Sequence, residues 1–435
     1  MTFVLLLIFI ILSLKYGKDF FKWSMFSLLF SMIFIFVGTF EELGFSDTLY
    51  GDQNYYMQLA QNMCGSSSSM NNVSFRYMFY PVFIYLSAPC FDYEIQSVLA
   101  KVNFALIWAI IIGILAFLVK SKDENNLLKY FILTNLVIIG GFFSSLVLRD
   151  GFVAIALILI FLPFILKRKK LLSKISVLIG LVLLLFTRPQ FLPLLFVSWV
   201  YIIIIKSFFK SYHIVRVSIF LFVISIFLLL IIPIPESIAS FVAMLLVPDG
   251  TTSENALVIS KQEVFTILNS GGTEASKYIF NSLVSSLPSV FYNSNFLRTS
   301  FWIIFDSQYL GSEVDFRKYF LLLKALTEFI VWIVWGTIFW SFFVNKKRAN
   351  SYLSYTYGYI LVFSLLCFSL YATKYFGMDL RILLSFIVLF LIFFLFYPPS
   401  SIEVRNFMFP FLIIWLFLNL LYFAIKPYNW IWNYL

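Results

Sequence analysis

The stretch LRDGFVAIALILIFLPFILKRKKLLSKISVLIGLVLLLFTRPQF, residues 148–191, decides how the chain is read. Two apolar runs, 152–166 and 175–186, flank the basic turn Lys167–Lys174, which holds five Lys or Arg. This pattern predicts a helical hairpin that crosses a bilayer with its turn in the cytoplasm, where short loops collect Lys and Arg. Each run is short: residues 152–166 make ~22 Å of helix against a hydrocarbon core of ~30 Å. The first helix must therefore extend outward through Gly151 and Arg149, or inward through Lys167, and the second must reach toward Arg188. Pro189 then ends or kinks the next helix. Both arginines sit at the edge of the hydrocarbon on one face, opposite the basic turn, where few cations are expected. A cation there is costly unless an anion pairs with it, so it points to function.

Working outward, the same pattern covers the chain. It is 62% hydrophobic and 12% charged, with 56 Phe among 435 residues. Apolar runs fall at about 2–14, 21–40, 98–119, 130–148, 152–166, 175–186, 191–205, 217–235, 319–343, 352–372, 382–397 and 407–425. The expectation is an all-α polytopic membrane protein, one transmembrane domain over 1–435 with about twelve spans, or eleven if 2–14 does not cross. The alternate loops Lys15–Lys22, Lys120–Lys129, Lys167–Lys174, Lys206–Arg216, Asn345–Ser351 and Pro398–Arg405 hold 18 of the 31 Lys and Arg, which places them in the cytoplasm and the amino terminus outside. Thr2–Leu14 lacks the basic start and small-residue cleavage site of a signal peptide.

The net charge of +10 follows from those loops. No basic domain accompanies it, so nucleic acid is not an expected partner. Cys64, Cys90 and Cys367 lack metal-ligand spacing, His213 lies in a basic loop, and no P-loop or HExxH pattern occurs. No metal and no cofactor are expected. Cys64 and Cys90 fall on one side, where a disulfide is open but not required.

That outer side carries two long segments, 41–97 and 236–318. Long loops of this kind are usually functional. Each has apolar patches too short to span, FYPVFIYLSAPCF and SIASFVAMLLV, which suit interfacial or re-entrant pieces. Ser66–Ser69 and Pro248–Glu254 read as flexible tips. Gly140 and Gly141 are placed to kink their helix and to let neighbours approach. No internal repeat supports an inverted-repeat transporter.

The chemistry-bearing residues gather at these outer junctions. Glu41, Glu42, Asp47 and Asp52 follow the second span. Glu41 and Glu42 suit a solvated loop start. Asp52 is better placed as a general base. It precedes Tyr55, Tyr56 and Ala60, a helix-like run whose aromatic face can stack on a sugar. Arg76, flanked by aromatics, either pairs with phosphate or anchors an interfacial helix. Arg149 and Asp150 are adjacent and can pair with nearby charges. Arg188 has no acid beside it in sequence and must find a partner elsewhere. Lys374, Asp379 and Arg381 put two cations and one acid in a short outer loop, which suits an anion. Arg298, Asp306, Glu313, Asp315 and Arg317 populate the second long segment, mostly as solvated loop. Lys101, Lys324 and Glu328 are the charges nearest mid-span. Arginine suits the edge of a membrane because its planar guanidinium stays charged and grips phosphate oxygens in pairs. The expected catalytic set is Asp52, Arg149, Arg188 and Arg381, with Asp47, Tyr55, Arg76, Asp150, Arg298, Arg317 and Lys374 binding substrate.

With LRDG at Leu148–Gly151, TRP at Thr187–Pro189 and the long loop at 236–318, the layout resembles the Wzy-type polymerases of O-antigen and capsule synthesis. The resemblance implies that the protein polymerises oligosaccharide repeat units carried on undecaprenyl diphosphate. It would act at the outer face of the bacterial inner membrane, among membrane lipids and with a chain-length regulator protein as a possible partner. The first loop, GDQNYYMQLA followed by FYPVFIYL, is similar to that of GT-C glycosyltransferases that use polyprenyl-phosphate sugars. That resemblance implies Asp52 as base, with Asp47 as substitute; the paired acid often found directly before the tyrosine is missing here. A flippase for lipid-linked oligosaccharides is the rival from another class. It too needs cations for diphosphate, but along a central cavity and without two long outer segments.

Overall fold

An apolar run in hydrocarbon can satisfy its backbone N–H and C=O groups only within itself or in a closed sheet. The computed structural model describes residues 1–45, 51–64, 79–120, 126–146, 149–167, 171–208, 214–229, 231–239, 266–267, 270–291, 351–375, 380–397, 413 and 417. Among these residues no strand forms, and a single bridge pairs Ile234 with Gly272. The helices are α1 (Thr2–Tyr16), α2 (Lys18–Phe45), α3 (Gly51–Asn62), α4 (Phe79–Ser87), α5 (Tyr93–Lys120), α6 (Asn126–Ser145), α7 (Asp150–Ile165), α8 (Leu171–Thr187), α9 (Phe191–Phe208), α10 (Ile214–Leu228), α11 (Gly272–Phe291), α12 (Ser351–Tyr375) and α13 (Leu380–Phe396).

Ten of the expected spans fall on α1, α2, α5 to α10, α12 and α13. The run 319–343, the run 407–425 apart from 413 and 417, and the two loop tips lie outside the described residues, as does most of SIASFVAMLLV. Among the described residues, three helical segments are long and apolar enough to cross a membrane: Lys18–Phe36, Tyr93–Val119 and Phe191–Phe208. The other apolar helices are shorter. Large apolar side chains stand fully outward on several helices, with Phe3 78%, Phe220 64% and Leu178 62% exposed. So much bare hydrocarbon is unsuited to water and suits lipid.

Helix ends follow local chemistry. Gly17, at φ +77°, ends α1 in a conformation costly for other residues, and α2 starts at the next residue. The expected loop Lys15–Lys22 is thus reduced to this one turn. α8 ends at Thr187, directly before Arg188 and Pro189, as the proline requires.

Contacts gather the chain into two units. The first holds α1 to α8 and α13 from Leu384. In it α2 packs on α5 and α6, and α7 packs on α8. Ser24, Ser27 and Ser31 line the buried side of α2, where small side chains let helices approach closely. The Trp108 indole N–H donates to the Leu136 carbonyl at 3.0 Å and ties α5 to α6. Gly140 lies against that indole, where a Cβ has no room, and Gly141 lies against Phe34. The paired glycines therefore serve close approach, and α6 runs unbroken through them. α7 is buried nearly all round, the mark of a central helix.

The first long segment, 41–97, begins inside α2 and contains α3 and α4. α4 buries Tyr80, Phe83 and Ile84 and exposes Val82 and Leu86. α3 and α4 pack on each other and on α5. A disulfide joins Cys64 to Cys90, with Cα atoms 5.3 Å apart, and settles the pairing that the sequence leaves open. Gln61 reinforces it, donating to the Phe91 carbonyl at 3.0 Å and to Gln96 Oε1 at 3.1 Å. Closing a loop of this length stabilises by roughly 3 kcal/mol, through the unfolded chain. Unfolded without reductant, the protein should take up one maleimide per chain, at Cys367, the free and buried thiol. After reduction it should take up three; three before reduction would refute the bond.

The second unit holds α9 to α12. The Tyr359 hydroxyl donates to the Leu195 carbonyl at 3.2 Å, and the Phe191 and Phe363 rings meet edge-on at 6.1 Å. α11, inside the expected segment 236–318, is fixed by Ser276, whose Oγ accepts the Ile234 N–H at 2.8 Å. A cavity of about 290 Å³ lies among α9, α10, α11 and α12. Its described lining is apolar apart from hydroxyls such as those of Tyr201 and Ser218, and none of the expected site residues is among it.

Candidate functional site

The α7–α8 hairpin brings together its two polar ends. Arg149 caps α7, and its carbonyl accepts the N–H groups of Phe152 at 3.0 Å and Val153 at 3.3 Å. Asp150 occupies the first turn. Across the hairpin, Arg188 continues α8 by donating its backbone N–H to the Leu184 carbonyl at 2.8 Å. Its guanidinium Nη2 donates to Asp150 Oδ1 at 2.7 Å. The acid that Arg188 lacks in sequence is therefore Asp150, the neighbour of Arg149. Ser385 of α13 donates to the Asp150 carbonyl at 3.3 Å.

Two forces hold this pair. Asp150 lies at the positive end of α7 and Arg188 at the negative end of α8, so both helix dipoles favour it. Both side chains are also almost wholly buried, at 4% and 8% exposure, so breaking the pair strands a charge. Stability alone explains Asp150–Arg188. Arg149 is a second cation at the same end. The Arg149 guanidinium carbon lies 5.9 Å from the centre of the Tyr56 ring, a cation–π contact. The hairpin end thus presents two guanidiniums and one carboxylate.

Beneath it lies an aromatic floor. Phe152, two residues inside Asp150, is met edge-on by Phe79 at 5.3 Å, Phe83 at 4.7 Å and Phe104 at 5.2 Å, and Tyr80 lies 5.8 Å away. Tyr56 in turn meets Tyr80 at 5.5 Å. Gly151 permits this arrangement, because the Phe104 ring fills the space a Cβ would need. Charges that line a dry aromatic base interact more strongly than in water. Chemically, such a site suits a phosphate or another compact anion, gripped by paired N–H donors.

The other expected residues divide. Tyr55 is exposed, and its neighbour Tyr56 makes the arginine contact. Period-3.6 spacing puts adjacent residues on different faces, so the run YY could not itself assign the roles. Asp52 lies in the first turn of α3, one turn before Tyr56, and Arg381 in the first turn of α13. Lys374 is near the end of α12. The side chains of Asp52, Lys374 and Arg381, and those of Glu41 and Glu42, lie outside the described residues. So do Asp47, Arg76, His213, Arg298, Asp306, Glu313, Asp315, Arg317, Lys324, Glu328 and Asp379 altogether. No cluster of potential metal ligands occurs among the described residues. Compared with protein-family models, curated proteins and solved structures, the chain matches none.

Proposed function

We propose that the chain is a GT-C-like membrane enzyme, of about twelve spans, that polymerises oligosaccharide repeat units carried on undecaprenyl diphosphate into a surface polysaccharide. Its place is the bacterial inner membrane, with the site on the outer face. The observation that carries this reading is the hairpin end, where Arg149 joins the buried Asp150–Arg188 pair on an aromatic base. A lipid diphosphate has its charge at that depth, just beyond the hydrocarbon. The disulfide supports the outer location, since Cys64 ends the segment carrying Tyr56 and such bonds persist in oxidising compartments.

In this reading the acceptor sugar hydroxyl attacks the anomeric carbon, and the bond to the diphosphate oxygen breaks. The electron pair leaves on the lipid diphosphate, which the two guanidiniums stabilise as its charge grows. The hydroxyl proton passes to a carboxylate or to the departing diphosphate. No metal is required for that charge balance. A chain-length regulator would act from outside the site.

One observation favours a second reading, a transferase using a polyprenyl-phosphate sugar. Asp52 shares a helix with Tyr56 and precedes it by one turn, so the candidate base belongs to the element that meets Arg149. Glycan analysis of a strain lacking the chain separates the readings. Lipid-linked single repeats indicate the polymerase, and a truncated repeat indicates the transferase. An unchanged surface glycan would dismiss both.

A further inference from the structure

The cavity of about 290 Å³ lies wholly within the second unit, to which every residue of its described lining belongs. Its lining follows α10 from Ser218 to Leu229, ~16 Å of helix. Spread over that length, the volume gives a section of ~18 Å², on the scale of one hydrocarbon chain whose carbons meet their neighbours at ~4 Å. Val197 of α9 and Leu221 of α10 belong to the lining and are 47% and 37% exposed, so the cavity opens sideways between these two helices. Beside them Phe196 and Phe220 stand outward, at 63% and 64% exposure. α9 is long and apolar enough to cross a membrane. The opening therefore suits the hydrocarbon of a bilayer. Water is a poor occupant, because a buried water needs several polar partners. Ser225 Oγ donates to the Leu221 carbonyl at 2.7 Å and Ser369 Oγ to the Leu365 carbonyl at 2.9 Å, which ties both hydroxyls to their own helices. The hydroxyls of Tyr201 and Ser218 lie beside each other.

We propose that this cavity holds one acyl chain of a bilayer phospholipid, which enters between α9 and α10 and packs against α11 and α12. Apolar cavities of ~150 Å³ already take up small apolar ligands. Taking ~30 Å³ for a group the size of a water molecule or a methylene, this one holds about ten methylenes, the inner part of an acyl chain. Lipid tails are as apolar as the lining, so the chain is held by close packing and not by escape from water. The narrow section suits an unbranched chain better than a regularly methyl-branched isoprenoid. The proposal is independent of the glycan reading and of the hairpin end.

The test uses full-length protein in phosphatidylglycerol nanodiscs that contain a trace of phosphatidylglycerol with a diazirine in one acyl chain. After illumination, labelled residues are mapped by peptide mass spectrometry. Label on Phe196 and Phe220, which stand outward, measures ordinary lipid contact. Wild type should carry label on the buried lining, at Ile279, Leu283 and Val362, at least equal to that on the outward pair. Ser225→Phe fills the cavity from its rim and should remove most of the lining label while leaving the outward label unchanged. Leu221→Trp is the second filling variant, in case phenylalanine impairs folding. Exchanging a minor fraction of the phosphatidylglycerol for undecaprenyl phosphate should lower lining and outward label alike. Wild type labelled only on the outward pair overturns the proposal, as do folded filling variants that keep the lining label. Selective loss of the lining label to undecaprenyl phosphate overturns the acyl assignment and gives the cavity to an isoprenoid.

Discussion

Asp150→Asn should strongly destabilise the protein, although the side chain keeps its shape. The substitution removes the one described carboxylate that Arg188 Nη2 reaches, at 2.7 Å, and leaves that guanidinium buried at 8% exposure. Removing one member of a buried pair typically costs about 3–5 kcal/mol, because the remaining charge stays desolvated. The asparagine also forfeits the favourable charge in the first turn of α7, worth roughly 0.3–1 kcal/mol. Replacing both members with neutral groups should cost much less than the sum, since no charge is stranded. Asp150→Asn combined with Arg188→Met should therefore melt above Asp150→Asn alone in detergent. Additive losses in this double-mutant cycle would show that the two residues do not depend on each other.

How far the sequence carries can be judged at this same hairpin. The lengths of 152–166 and 175–186 require the first helix to extend outward to Arg149 or inward through Lys167 and the second to reach toward Arg188; α7 takes the outward course, with Arg149 capping it, and Arg188 follows α8. Pro189 marks the end of α8 by its chemistry. Gly140 and Gly141 signal a kink and a close approach, and the packing against Trp108 and Phe34 shows the close approach. The Asp150–Arg188 pairing spans 38 residues and follows from which faces of two helices meet, which no local pattern encodes. The contact of Tyr56 with Arg149 has a related origin, since it comes from the tertiary packing of a short helix that lies just before a disulfide.

The central claim is that arginine charge at the hairpin end, more than a carboxylate base, drives transfer. Removing one group that stabilises transition-state charge costs on the order of 10²–10³ in rate. A positioned base is worth typically about 10²–10⁴ where the acceptor must be deprotonated, and less where the leaving group is good. The most direct measurement is glycan transfer from lipid-linked repeat units by purified Arg188→Ala and Asp52→Asn, with the amount and melting of each protein recorded. Arg188→Lys accompanies them, because it keeps a cation for Asp150 and loses the planar fork. Arg188→Ala should be almost inactive, Arg188→Lys stable but strongly impaired, and Asp52→Asn only partly defective. An inactive Asp52→Asn beside working, folded Arg188 variants would contradict the phosphate clamp and reverse the order of polymerase and transferase.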